Sequence, residues 1–175
     1  PLEELWSTSI GVGYDKQYLK LVPAVDGGKL FVADRKGRVV ALDAATGKEV
    51  WSVKTGASVS AGPGVGGELV LVGTSDAEVL ALQAADGSLI WKSGVSSEVL
   101  SVPQFGLGTV IVQTADGSVT ALDAEDGSQL WVYDRSVPVL TLRGTSTPAV
   151  QHGVVIAGFA NGKLVALSEE QGFVA

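Results

Sequence analysis

The chain has 175 residues, a net charge of −7 at pH 7 and no cysteine. Affinity for nucleic acid comes largely from Lys and Arg neutralising phosphates, so this charge argues against a phosphate-binding surface. Without thiols there is neither a disulfide framework nor thiolate chemistry, and that absence selects no compartment. Hydrophobic residues make up 46% of the chain and mean hydropathy is +0.32, yet Gly, Asp and Ser interrupt every apolar run well short of the roughly 20 residues a membrane-crossing helix requires. The length suffices for one domain with a substantial core. No signal peptide is visible, and Pro1 is not a natural start, which is compatible with a targeting segment outside this sequence.

In chain order, residues 1–10 read as one short strand, because Leu5-Trp6-Ser7 matches Val50-Trp51-Ser52 further on. A loop with Tyr14 and Tyr18 follows. From Pro23 onward one unit recurs four times. Residues 39–51 read VVALDAATGKEVW, residues 79–91 VLALQAADGSLIW, residues 119–131 VTALDAEDGSQLW, and residues 164–175 LVALSEEQGFVA. The matching glycines are Gly47, Gly87, Gly127 and Gly172, and Trp51, Trp91 and Trp131 lie four residues after the first three. Pro23, Pro63 and Pro103 are spaced by 40 residues, and Pro148 follows after 45. Each of the first three prolines precedes its tryptophan by 28 residues, so the five extra residues fall between Trp131 and Pro148.

Each unit reads as four short strands, in the first unit roughly residues 24–25, 29–33, 38–42 and 49–53. The central runs LFVA, LVLVG, TVIVQ and VVIAG are continuously apolar, the pattern of strands covered on both faces. Connections this short do not allow crossovers, so the sheets are expected to be antiparallel. Four-stranded antiparallel sheets with both faces buried, repeating every 40 residues, are the blades of a β-propeller. The fold class is therefore all-β, with blades over 23–53, 63–93 and 103–133, an incomplete blade over 148–175, and an orphan last strand within 1–10. About three and a half blades leave a blade face bare, and the chain is expected to be part of a longer protein. Lys36-Gly37, Asp76-Ala77, Asp116-Gly117 and Asn161-Gly162 are expected to form type I′ hairpin turns. Gly47, Gly87, Gly127 and Gly172 serve a second turn needing positive φ.

No catalytic constellation emerges: there is no nucleophile elbow, P-loop or HExxH pattern. The tryptophans Trp6, Trp51, Trp91 and Trp131 suit a stacking platform, but a ring at one place in every repeat is better explained as a wedge between neighbouring blades. Asp43, Asp123 and their neighbours read as turn residues bonding local N–H groups, His152 as a surface loop residue, and no metal or cofactor is expected. The distinctive stretch is residues 137–148, VPVLTLRGTSTP, which holds the insertion. In extended conformation Leu140 and Leu142 project to one face, and Arg143 adds planar donors for carboxylates or carbonyls. From spacing alone, this is either a protein-docking hot spot or a lengthened outer strand with its leucines buried between blades.

The unit ALDAxxGxxxW resembles the repeat of pyrroloquinoline-quinone (PQQ) dehydrogenase propellers, a likeness that specifies the repeat and not an activity. The stretches VPVLTLRGTSTP, IAGFANGKL, LWSTSIG and AADGSLIW together resemble the BamB family, lipoproteins of the bacterial outer-membrane β-barrel assembly machinery. That resemblance implies an eight-bladed propeller, of which this chain covers about the N-terminal half. It implies a lipid anchor, on a cysteine absent here, at the periplasmic face of the outer membrane. It also implies a non-enzymatic scaffold that binds the POTRA domains of BamA and aids the folding and insertion of unfolded outer-membrane protein clients. Carried over residue by residue, the leucine, leucine and arginine of the family's LxLRG loop fall on Leu140, Leu142 and Arg143, whereas the family's acidic contacts from a later blade have no counterpart. The alternatives are a fragment of a PQQ-dependent dehydrogenase, which needs calcium-binding carboxylates and commonly vicinal cysteines, and a generic protein-binding propeller.

Overall fold

The computed structural model describes residues 3–12, 19–134 and 146–174, which hold sixteen strands and no helix. Strands β2 (Ala24–Asp26), β3 (Lys29–Ala33), β4 (Arg38–Asp43) and β5 (Glu49–Lys54) form the first sheet, in that order. The second contains β6 (Val59–Gly66), β7 (Leu69–Thr74), β8 (Glu78–Gln83) and β9 (Leu89–Gly94), with β1 (Lys20–Leu21) added beside β6. The third is β10 (Gln104–Phe105), β11 (Thr109–Gln113), β12 (Val119–Asp123) and β13 (Gln129–Tyr133). The fourth holds β14 (Ala149–Gln151), β15 (Val154–Gly158) and β16 (Leu164–Ser168), and a single bridge joins Leu167 to Val174. The molecule is a partial β-propeller.

The continuous apolar runs follow from this stacking. Side chains along a strand alternate between faces, and here each face meets a different blade. Phe31, Val39, Ala41 and Trp51 of the first sheet pack against Val70, Val72, Leu80 and Leu82 of the second. Leu71, Val79, Ala81 and Trp91 turn the other way, onto Val110, Val112 and Leu122. Ile111, Val119 and Ala121 meet Val155, Ala157, Val165 and Leu167. Among the described residues the core is three slabs between successive blades and not one central cluster. The fourth blade shows what a slab supplies. Ile156 and Leu164 occupy the repeat positions of Ile111 and Val119, which are fully buried, yet they are 46% and 77% exposed.

Four expectations need correction. First, residues 3–10 carry no strand. A strand is held by ladder bonds to a neighbour, and no described strand pairs with this segment. Second, the sheets are not wholly antiparallel: β1 pairs with β6 in parallel, Lys20 opposite Ala61 and Leu21 opposite Gly62. The register of β6 against β7 slips between Ala61 and Gly64. Such a bulge turns backbone groups away from the ladder, and the Gly62 carbonyl accepts from Val22 N–H at 3.1 Å. Third, the second blade begins at Val59 and not at Pro63, which lies inside β6 at this bulge, where a strand tolerates a residue without N–H.

The fourth concerns the turns. The type I′ pattern, positive φ at both central residues, occurs one hairpin earlier than expected: at Gly27-Gly28, Gly67-Glu68 and His152-Gly153. At the positions read as I′, only Gly37, Ala77, Gly117 and Gly162 have positive φ. There Gly37 N–H donates to Asp34 O (3.1 Å) and Asp34 N–H to Arg38 O (2.8 Å), the three-residue hairpin whose last residue is left-handed. One permissive residue is enough for that turn, so Lys36, Asp76, Asp116 and Asn161 need not adopt positive φ.

The outer turns bind aspartates firmly. Asp43 Oδ1 accepts the Thr46 hydroxyl (2.7 Å) and N–H (2.8 Å), and Asp86 Oδ1 accepts the Ser88 hydroxyl (2.6 Å) and N–H (2.8 Å). The hydroxyl bonds first, then the amides, hold both carboxyls below the ordinary 3.8. A depressed folded pKa contributes stability above the unfolded value and loses it as pH falls through the folded one. The melting temperature is therefore expected to drop as pH falls below about 3.8, and the drop is expected to be shallower in an Asp43→Asn, Asp86→Asn variant. An identical acid profile in thermal melts of the two proteins would contradict this.

Candidate protein-docking site

The repeat docks onto itself. The indole N–H groups of Trp6, Trp51, Trp91 and Trp131 donate to the carbonyls of Ala44, Ala84, Ala124 and Glu169, at 3.1, 3.1, 2.9 and 2.7 Å. Each acceptor lies at the end of the third strand of the following blade. Its own N–H donates to the inner hairpin of that blade, at Gly28, Glu68, Gly108 and Gly153 O respectively. Each ring then lies over the turn glycine of the next blade. A Cβ built on Gly127 would stand 2.6 Å from Trp91 Cε3, and the corresponding closest ring atoms at Gly47, Gly87 and Gly172 are 2.5 to 2.7 Å away. These four glycines have φ between +69° and +78°, which favours a residue without a Cβ. The tryptophans are thus spent on blade seams, and Trp51 and Trp91 are buried.

The repeated aspartates hold their own turns: Asp43 as above, and Asp123 by accepting Glu125 N–H at 2.7 Å. His152 is exposed in the tight turn between β14 and β15, with φ +51°.

The predicted docking residues Leu140, Leu142 and Arg143 lie outside the described residues. Their frame is described on both sides. On one side β13 ends at Tyr133; on the other Ser146 is fixed to the end of β15. Ser146 Oγ accepts Gly158 N–H (3.2 Å) and lies 2.8 Å from Gly158 O. The shorter connection before β10 ends in the same clamp, with Ser101 Oγ accepting Gln113 N–H (3.2 Å) and donating to Gln113 O (2.8 Å). Both serines stand two residues before their proline, at Pro103 and Pro148. Because the clamp fixes where the connection re-enters the blade, the extra residues fall between Tyr133 and Ser146. The buried Gln113 side chain, whose Nε2 donates to Gly158 O at 2.9 Å, ties the third blade to this anchor.

Fold and seams define the class: a propeller segment of the quinoprotein-type repeat, its recurring aromatic groups consumed in blade docking. The profile of the family described as "Outer membrane protein assembly factor BamB" matches residues 3–61 and 36–175. A relative of that name from Alkalilimnicola ehrlichii is 67% identical over 172 residues, which is 98% of this chain and 45% of that protein. Its namesake from Pseudomonas aeruginosa is 57% identical over 171 residues, covering the same shares. The crystal structure of BamB from Moraxella catarrhalis is similar with a TM-score of 0.82 and 26% identity, covering 91% of this chain and 48% of that one. A quinohemoprotein alcohol dehydrogenase from Pseudomonas putida has a TM-score of 0.75 at 19% identity, covering 94% and 34%; that likeness is one of fold alone.

The chain belongs to the family of outer membrane protein assembly factor BamB. It spans about 45% of the length of the curated relatives it matches over nearly its whole length.

Proposed function

We propose that this chain is part of a non-enzymatic scaffold that acts in outer-membrane protein assembly. It docks through Leu140, Leu142 and Arg143 on the POTRA domains of BamA, at the periplasmic face of the membrane, with unfolded outer-membrane proteins as clients. In the intact protein a lipid anchor supplies the membrane contact, and a following blade covers the Ile156 and Leu164 face. The observation that carries the reading is the five-residue lengthening placed between Tyr133 and the Ser146 clamp. It brings in two leucines and an arginine; the two middle connections are five residues shorter, and the equally long connection between Trp6 and Pro23 carries no arginine. Apolar anchors beside an arginine form the composition of an interface hot spot. Family membership supports the partner, and the dehydrogenase reading has only a shared fold behind it.

The test is a titration of the full-length protein against the isolated POTRA segment. Saturable binding at micromolar concentration is expected, and its absence contradicts the proposal. A melting temperature that rises with quinone plus calcium would instead favour the dehydrogenase reading, because a ligand that binds only the folded state stabilises it.

A further inference from the structure

The seam between successive blades forms a groove beside each docking carbonyl, and the repeats fill it differently. Between the first and second blades, Lys29 reaches across and its ammonium donates to Ala84 O at 3.1 Å. That carbonyl already accepts the Trp51 indole N–H, so both its lone pairs are in use. The groove left there, lined by Asp26, Lys29, Glu68 and Gln83 among others, holds about 200 Å³.

Between the third and fourth blades the same groove lacks the lysine. Thr109 stands at the position of Lys29, and Glu169 at the position of Ala84. The opening is larger, about 430 Å³, and is walled by Leu107 and Leu130, with Thr109, Gly153, Glu169 and Glu170 completing it. Leu107 and Leu130 are both exposed.

Glu169 is built into this groove. Its side chain is 2% exposed. Oε1 accepts the Thr109 hydroxyl (2.6 Å) and the Leu107 N–H. The inner hairpin of the third blade, which supplies that N–H, is the one that departs from the two-residue type I′ form, with positive φ at Gly108 and not at Leu107. Gly106 leaves the necessary room, since a Cβ there would collide with the carboxylate. Oε2 is buried and has no hydrogen-bond partner among the described residues. The Glu169 carbonyl accepts Trp131 Nε1 and no other donor among those residues. The groove is therefore lined by a glutamate whose shielded Oε2 has no donor among the described residues and whose carbonyl has a spare lone pair, beside Leu107, Leu130 and Glu170. A buried carboxylate oxygen left without a donor is costly.

We propose that this groove is a second protein-contact site and that it accepts a lysine side chain from an extended segment of a partner protein. The aliphatic stem lies along Leu107 and Leu130, as long basic side chains commonly cover apolar surface. The ammonium takes the place that Lys29 takes between the first and second blades, donating to Glu169 O, with the Glu169 carboxylate as counter-charge. The chain itself supplies the precedent for the occupant, and the two glutamates supply the complementary charge. None of the described residues that line the groove belongs to the stretch at 137–148.

The test follows the backbone amides of Leu107, Gly153 and Glu170 by NMR while a short lysine-containing peptide is added, with a norleucine analogue as control. Saturable shifts are expected for the lysine peptide, with binding about tenfold weaker for norleucine. Glu169→Gln keeps an acceptor for Leu107 and places an amide at Oε2, and it is expected to weaken lysine binding about tenfold. Glu169→Ala restores the alanine of the other three repeats and is expected to behave alike. Thr109→Lys supplies the lysine internally; it is expected to block the peptide and raise the melting temperature. Equal binding of lysine and norleucine peptides, full binding by Glu169→Gln, or full binding by Thr109→Lys each overturns the proposal, as does the absence of any saturable shift.

Discussion

Trp91→Ala is expected to lower folding stability by about 3–5 kcal/mol, the range for removing a buried tryptophan. The ring is 6% exposed and belongs to the slab between the second and third blades, beside Leu71, Ala81 and Leu122. Its truncation opens a cavity where the ring now lies over Gly127, and it leaves Ala124 O without the indole donor. Trp91→Phe separates these effects. It keeps much of the apolar area and loses the hydrogen bond, so a smaller loss of about 1–2 kcal/mol is expected. Denaturant melts measure both. If alanine costs no more than phenylalanine, the ring is not wedged in the seam.

Gly64→Ala is expected to be as damaging, about 3 kcal/mol, at the upper end for overpacking. Gly64 lies in the innermost strand of the second blade, where a Cβ would meet the carbonyl of Pro103 in the third blade well inside contact distance. The obstacle is backbone, which cannot rotate aside. Gly94→Ala is the control. Nothing lies within 4 Å of a Cβ there, its φ is not positive, and a change within about 0.5 kcal/mol is expected. Equal effects at Gly64 and Gly94 would show that the inner strands do not meet at this carbonyl. Together the two positions describe how a blade seam works: small residues where backbones approach at the inside, and a large ring over the turn at the outside.

The sequence made the blades legible because period and spacing survive in it. Forty-residue spacing, unbroken apolar runs and a ring four residues after each of the first three turn glycines led to sheets stacked face to face. The glycines were legible as turn residues but not as ring seats, because that contact spans one whole repeat. The turn types were misplaced because Asn-Gly and Asp-Gly carry a strong hairpin signal whichever hairpin they serve. At the pairs Gly67-Glu68 and His152-Gly153 a residue with a side chain takes positive φ, which composition alone does not flag. The parallel pairing of β1 with β6 depends on a bulge and has no local signal beyond Pro63. The Ser146 clamp had one, a serine two residues before Pro103 and Pro148, and Glu169 had another, a glutamate where three repeats carry alanine. Both signals register only when the repeats are aligned position by position. Leu140, Leu142 and Arg143, the proposed docking residues, were legible as part of a lengthened connection; the described residues supply the anchors on either side of it.

The most direct measurement of the scaffold account compares two full-length proteins, wild type and a Leu142→Ala, Arg143→Ala variant, in titrations against the isolated POTRA segment, after confirming equal melting temperatures. The account predicts that wild type binds and that the variant loses more than about 2 kcal/mol, close to thirtyfold in Kd, as hot-spot residues do. Equal affinities for the two proteins would contradict the docking role of the loop, and no binding by either would contradict the scaffold account as a whole.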